Sequence, residues 1–392
     1  MFESSSFLLS CILSLLHLLA ALTIMFTSSA VAALGRQSLR RTVTTWSRRG
    51  ALPLRVTAAR QAAAAAAVTT TSLLPRSFST AAEPAKADMF CRQCEQTSNH
   101  TACTTTQGVC GKTAPTAAAQ DALMEAVKSL STWCVAARQQ GIDESQLKTA
   151  NVLTLQATFS TLTNVNFDTA RIADYVQQVE AAKASLKTLV GTPPSGPAAA
   201  LDYSKLTTPE AVTAMGETVS IPIRQGLWND ADAFSLQEIA TYGLKGTCAY
   251  AAHCLALGKM DYVVMAEIHD LFATIADPSK TVPELLPAVL RVGEVNAQVM
   301  AMLDEAHAAT LGEPTPTEYR TTAVQGKAIL ISGHDMMDLY ELLKQTEGTG
   351  INVYTHGEML PAHAYPKLKA FDHLVGNYGT AWQNQKVCVL ID

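Results

Sequence analysis

The apolar positions of this chain follow two different periods. Between residues 116 and 311 they recur every three or four positions, the spacing that gathers side chains on one face of a helix. Leu123, Val127, Leu130, Cys134 and Ala137 form one such stripe, so Cys134 is expected to be a buried core thiol and not a ligand. A second stripe over residues 169–190 is carried by Ile172, Tyr175, Val176, Val179, Leu186 and Leu189. The GTPPSGP run at 191–197 stops it and reads as a hinge between helical units. Ser235, with Glu238 three residues on, reads as a capping box that opens a further helix through Ile239, Tyr242 and Leu244. More helices are expected over residues 262–275 and 285–309.

At Lys327 the period changes. Ala328, Ile329, Leu330 and Ile331 make a short apolar run, Ser332, Gly333, His334 and Asp335 make a turn, and residues 336–344 read as a helix. Gly348 and Gly350 end that helix before a second strand at 351–355. They precede a strand instead of opening a helix, so they are no dinucleotide fingerprint. A right-handed strand–helix–strand crossover lays its strands parallel, with both carboxyl ends at the edge where open α/β sheets bind ligands. His334 falls just past the first strand, and His356 and Glu358 fall just past the second. An imidazole and a carboxylate from adjacent strand ends can reach one metal centre; the alternative is a turn-capping histidine and a solvated glutamate.

Composition refines the picture at the ends. The 392 residues, 48% hydrophobic and 16% charged, describe a globular chain with room for two domains. Residues 4–82 contain no Asp or Glu, yet hold eight arginines among Ser, Thr and Ala. That is the make-up of an organelle transit peptide. An apolar run at 7–26 is long enough for a membrane span or a secretory signal, but no basic residue precedes it, and Met25 is expected as the working start. Residues 1–88 are therefore read as a targeting leader, addressed to the mitochondrion, with the chloroplast as the alternative. From Met89 onward 20 basic residues face 31 acidic ones. A body so acidic is not expected to bind nucleic acid through the phosphate backbone, and no mature membrane span is expected.

The densest chemistry lies at 89–112, MFCRQCEQTSNHTACTTTQGVCGK. Cys91, Cys94, Cys103 and Cys110 are spaced C-x2-C-x8-C-x6-C among Gly, Ser, Thr, Asn and Gln. A C-x2-C turn lets two thiolates converge, and two more cysteines complete the shell of an iron–sulfur cluster or a zinc ion. Two disulfides are the rival, but four of nine cysteines within 20 residues of a chain that can build its own core favour a metal. Spacing alone leaves the metal open. Cys248, His253 and Cys254 sit among Ala, Leu and Gly and read as packing positions, while His269 and His307 are expected at the surface.

The run MFCRQCEQT followed by CTTTQGVCGK resembles the N-terminus of the hybrid cluster proteins, also called hydroxylamine reductases. ILISGHD, KQTEGTGINVYTHGEMLPAHAYP and FDHLVGNYGTAW are similar to later segments of the same family, so the resemblance extends from Met89 to about Lys386. It implies that the four cysteines hold a cubane-type cluster, [4Fe-4S] in preference to [2Fe-2S]. It also implies that His334 and Glu358 are the histidine and first glutamate ligands of a second, iron–sulfur–oxygen hybrid cluster where catalysis occurs. The implied reaction is reduction of hydroxylamine to ammonia and water, with nitric oxide as a related substrate and a redox protein as electron donor.

The implied fold is α plus α/β: a helical bundle domain over 89–315, then the start of a Rossmann-like parallel α/β domain over 316–392. In the family four further cysteines and another glutamate follow, so the chain is expected to be truncated before them, leaving the hybrid cluster incomplete; Cys388 does not match a ligand segment. The rivals are a catalytically silent iron–sulfur electron carrier or fragment, and a zinc-stabilised helical module.

Overall fold

The computed structural model describes residues 89–381 and Asn384, all within one compact unit. The expected leader at 1–88 and Cys388 lie outside the described residues. After the cysteine loop come the helices α1 (Ala114–Gln139), α2 (Glu144–Ser160), α3 (Thr169–Leu189), α4 (Pro197–Ala200), α5 (Pro209–Thr218), α6 (Ile221–Gln225), α7 (Ala231–Ala256), α8 (Tyr262–Ile275) and α9 (Val282–Leu311). None of the described helices is long and apolar enough to cross a membrane.

The stripe read on α1 is the centre of the helical core: Leu123, Val127, Leu130, Cys134 and Ala137 are all fully buried. They pack with Ile172, Val176, Val179 and Leu186 of α3 and with Leu244, Ile268, Phe272, Val295 and Val299 of α7 to α9 in one continuous cluster. Leu189, at the far end of the α3 stripe, is exposed. Cys248 and Cys254 are buried in the same core, as packing positions are expected to be. Burial pushes the Cys134 and Cys248 thiols up to about 12, which keeps both as inert neutral groups.

Three expectations need correction. The cap of α7 is Asp230, whose carboxylate accepts from the amides of Asp232 (2.8 Å) and Ala233 (3.4 Å); Ser235 lies inside the helix and donates back to the Ala231 carbonyl. The S-x-x-E spacing recurs by chance one turn into the helix. His269 is not at the surface but fully buried: Arg138 donates to its Nδ1 (2.7 Å) and its Nε2 reaches Thr154 Oγ1 (3.0 Å). Loss of hydration, with Arg138 beside it, holds this imidazole well below its ordinary value and therefore neutral. His307 is half-buried, edge-on to Tyr365 with ring centres 5.8 Å apart. The 191–197 loop is held at its start, where Gln140 accepts from the amides of Gly191 and Thr192 and donates to the Thr192 carbonyl.

Beyond Gly312 the chain builds β1 (Lys327–Ser332), α10 (Met336–Thr346), β2 (Ile351–His356), a 3-10 segment (Gly357–Ala364), α11 (Pro366–Lys369) and β3 (Leu374–Asn377). The described strands form a parallel sheet in the order β1-β2-β3. Their own core gathers Leu339, Leu343, Val353, Met359 and Leu368, with Leu311 from the end of α9. The architecture is α plus α/β, as the change of period indicates.

Candidate metal centre

The cysteine loop is held by backbone pairing before any ligand is considered. Cys91 and Cys103 exchange amide–carbonyl bonds of 3.0 and 2.8 Å, and Gly108 donates to the Lys112 carbonyl at 2.8 Å. Asn99 and His100 adopt left-handed backbone at the tip, where the chain reverses between the two cysteine pairs. All four cysteines, Cys91, Cys94, Cys103 and Cys110, line one recess. None is in a disulfide; Cys103 is buried and the other three are half-buried.

As the side chains stand, no three His, Cys, Asp or Glu groups among the described residues converge as ligands of a single ion. Four thiols that each hold a different iron of a cubane need not converge in that way. The donor set fits a cluster on two counts. Gly108 supplies no side chain where a Cβ would stand 3.6 Å from Cys103 Sγ and 3.7 Å from Cys110 Sγ, so the recess stays open between those sulfurs. The Cys94 thiol is raised, first by burial and then by the charges of Cys91, Cys110 and Glu95, against a lowering bond from the Gln96 amide. Thiols that repel one another when ionised are held together by a cationic centre.

The second candidate centre is built by sheet register. Ser332 pairs with His356 across β1 and β2, and two residues further along each strand stand His334 and Glu358. Gly333 (φ 130°) and Gly357 (φ 57°) turn the chain just before each of them, a conformation that side chains with a Cβ rarely adopt. His334 Nε2 and the Glu358 carboxylate meet in a direct hydrogen bond, both side chains more than half exposed. Asp335 fixes the turn: it caps α10 through the amides of Met337 and Asp338 and meets His253 of α7 at 3.2 Å. Burial favours its neutral form, yet His253 and those two amides hold it below the ordinary carboxylate range. His253 is thus a link between α7 and the sheet, consistent with a packing role. His356 is fully buried; its Nδ1 faces Ser332 Oγ (3.3 Å) and its Nε2 has no hydrogen-bond partner among the described residues.

Sequence reading missed a partly buried charge cluster behind the cysteine loop. Arg92, between the first two cysteines, reaches Glu238 at 3.4 Å, and Arg224 holds the same carboxylate at 2.6 Å. Lys128 pairs with Glu125 at 2.7 Å, and Lys112 donates to Gln120 at 2.6 Å. Asp121 and Lys245 complete the cluster. The available signal was spacing: Asp121 and Lys128 on α1, and Glu238 and Lys245 on α7, are each seven residues apart and so share a helix face.

A helical bundle with a four-thiol recess, joined to a parallel sheet whose strand ends present a histidine–carboxylate pair, defines an α plus α/β protein with two candidate metal centres. Residues 89–390 match the prismane/CO dehydrogenase family, and the chain belongs to that family, whose proteins carry iron–sulfur clusters. It is 44% identical over 301 residues to a hydroxylamine reductase of Maridesulfovibrio salexigens, a match covering 76% of this chain and 54% of the relative. A hydroxylamine reductase of Salmonella paratyphi C is 43% identical over 307 residues, 76% of this chain and 55% of the relative. The chain spans about half the length of these curated relatives.

Proposed function

We propose that this chain is an iron–sulfur oxidoreductase of the hydroxylamine reductase type. Cys91, Cys94, Cys103 and Cys110 bind a [4Fe-4S] cluster that takes electrons from a redox protein, and His334 and Glu358 supply ligands to a second, hybrid cluster. The observation that supports this reading best is the single recess lined by all four thiols, in a chain of this family. The overall chemistry adds two electrons and two protons to hydroxylamine, breaks its N–O bond and releases ammonia and water; nitric oxide is a related substrate. When bound, a hybrid cluster supplies electrons and an electrophilic iron to the substrate oxygen. The chain's own contribution there is positional: paired strand ends hold the His334 imidazole against the Glu358 carboxylate, so that both groups are presented at one point past the sheet edge.

The working assignment of regions is a bundle over 89–315 and an α/β domain over 316–392, behind a leader at 1–88 that addresses the protein to the mitochondrion. The test is anaerobic assay of the chain with hydroxylamine and a reduced viologen dye, alongside a count of bound iron. Ammonia formation that is lost in His334→Ala and Glu358→Ala variants supports the enzyme. Bound iron without turnover favours the second reading, an electron carrier, which is motivated by the two candidate ligands, His334 and Glu358, at the strand-end centre among the described residues.

A further inference from the structure

The cavity behind the cysteine loop carries charge that the protein's own pairs do not balance. It shares Cys91 and Gln93 with the thiol recess and is walled by α1, α6 and α7. Around it five cations, Arg92, Lys112, Lys128, Arg224 and Lys245, stand against three carboxylates, Asp121, Glu125 and Glu238. The pairs described above engage Arg92, Lys128 and Arg224, and Lys112 is bonded to Gln120. Lys245 is different. It is 5% exposed, lines the cavity, and makes no hydrogen bond or ion pair with a described residue. Asp121 lines the same cavity, likewise without a hydrogen bond or an ion pair at contact distance. Burial pushes the Asp121 carboxyl up, against Arg224 first and Lys245 second, and burial together with Lys112 pushes the Lys245 ammonium down, against Asp121.

A buried ammonium without a partner is costly unless a negative body lies near it. The group across the shared wall would be such a body: four thiolates outweigh the positive core of a cubane cluster, and reduction makes the whole more negative. Cys91 already contributes to the electrostatics of Lys245.

We propose that Lys245 and Asp121 set the reduction potential of the cysteine-loop cluster, the buried ammonium favouring the reduced state and the facing carboxylate opposing it. This rests on the reading that the loop binds an iron–sulfur cluster. Both act through charge at a distance and are positioning residues, not ligands. Because the cavity is walled by protein, their influence is only weakly screened by salt, unlike that of surface lysines.

The experiment is a redox titration of the anaerobically prepared full chain, followed by electron paramagnetic resonance, in wild type, Lys245→Met and Asp121→Asn. Iron content and circular dichroism are read on the same samples. Lys245→Met is expected to disfavour the reduced cluster by at least tenfold, which for one electron is about 59 mV downward. Asp121→Asn is expected to shift the potential upward. Opposite signs are the signature, since a merely structural disturbance has no reason to reverse with the charge removed. A loaded cluster whose potential is unmoved by Lys245→Met, or moved in the same direction by both variants, overturns the inference while leaving the cluster reading intact. A shift with Lys245→Met alone overturns the paired role of Asp121. A chain that binds no iron overturns the cluster reading itself, and this inference with it.

Discussion

Glu238→Gln tests how the cysteine loop is anchored. Glu238 is 3% exposed and holds two guanidiniums, Arg224 at 2.6 Å and Arg92 at 3.4 Å, the second lying within the C-x2-C turn. Removing one member of a buried pair typically costs about 3–5 kcal/mol, because the partner charge stays buried without compensation. Arg92 is a third exposed and partly solvated, and glutamine keeps the shape and one accepting oxygen, so the lower end, about 3 kcal/mol, is expected.

The pH dependence follows from the same contacts. Burial alone would raise the Glu238 carboxyl, but Arg224, Lys128 and Arg92 hold it below its ordinary value of 4.5. A depressed folded-state value means stability that is fully present above 4.5 and is lost as pH falls through the lower, folded value. The gap between wild type and variant should therefore be constant from neutral pH down to about 5 and close below 4.5. Urea unfolding of the metal-free proteins across that range measures it. A cost under about 1 kcal/mol at neutral pH, the size of a solvated surface pair, would refute the buried anchor.

Three other perturbations probe the packing and the recess. Gly216→Ala would place a Cβ 1.7 Å from the Ala118 carbonyl oxygen, so α1 and α5 must part and stability should fall by about 1–3 kcal/mol or more in thermal unfolding; an unchanged midpoint would contradict the close approach. Lys183, fully buried, donates to Glu180, Ser129 and the Leu201 carbonyl, so Lys183→Met should cost about 3–5 kcal/mol, whereas Lys183→Met with Glu180→Leu should recover most of that loss in a double-mutant cycle. Gly108→Ala meets only ordinary contacts in the metal-free loop, so the fold should be kept while bound iron per chain falls; full loading would show that the space between Cys103 and Cys110 is not needed.

What the sequence made legible is what periodicity encodes. The α1 stripe, the strand–helix–strand unit and the strand-end placement of His334 and Glu358 all follow from short-range patterns that the packing does not override. Helix α2 carries no clean apolar stripe, because Asn151, Thr154 and Thr158 occupy its buried side. They are polar inside for a reason visible only in three dimensions: Asn151 accepts from Arg138, and Thr154 meets His269. His269, flanked by Glu267 and Asp270, carries the local signature of a surface position; its burial depends on partners 131 and 115 residues away. The charge cluster behind the cysteine loop was equally hidden. Asp121, Lys128, Glu238 and Lys245 each look like a solvated helix charge until two helices bring their faces together.

The central claim is that the recess formed by Cys91, Cys94, Cys103 and Cys110 holds an iron–sulfur cluster. Its most direct test is iron, zinc and acid-labile sulfide counted per chain after anaerobic purification, in wild type and in Cys94→Ser. The account predicts about four irons with matching sulfide on these thiols, and loss of that set in the variant with the helical fold kept. Zinc without sulfide in wild type, or an iron and sulfide content unchanged by Cys94→Ser, would contradict it.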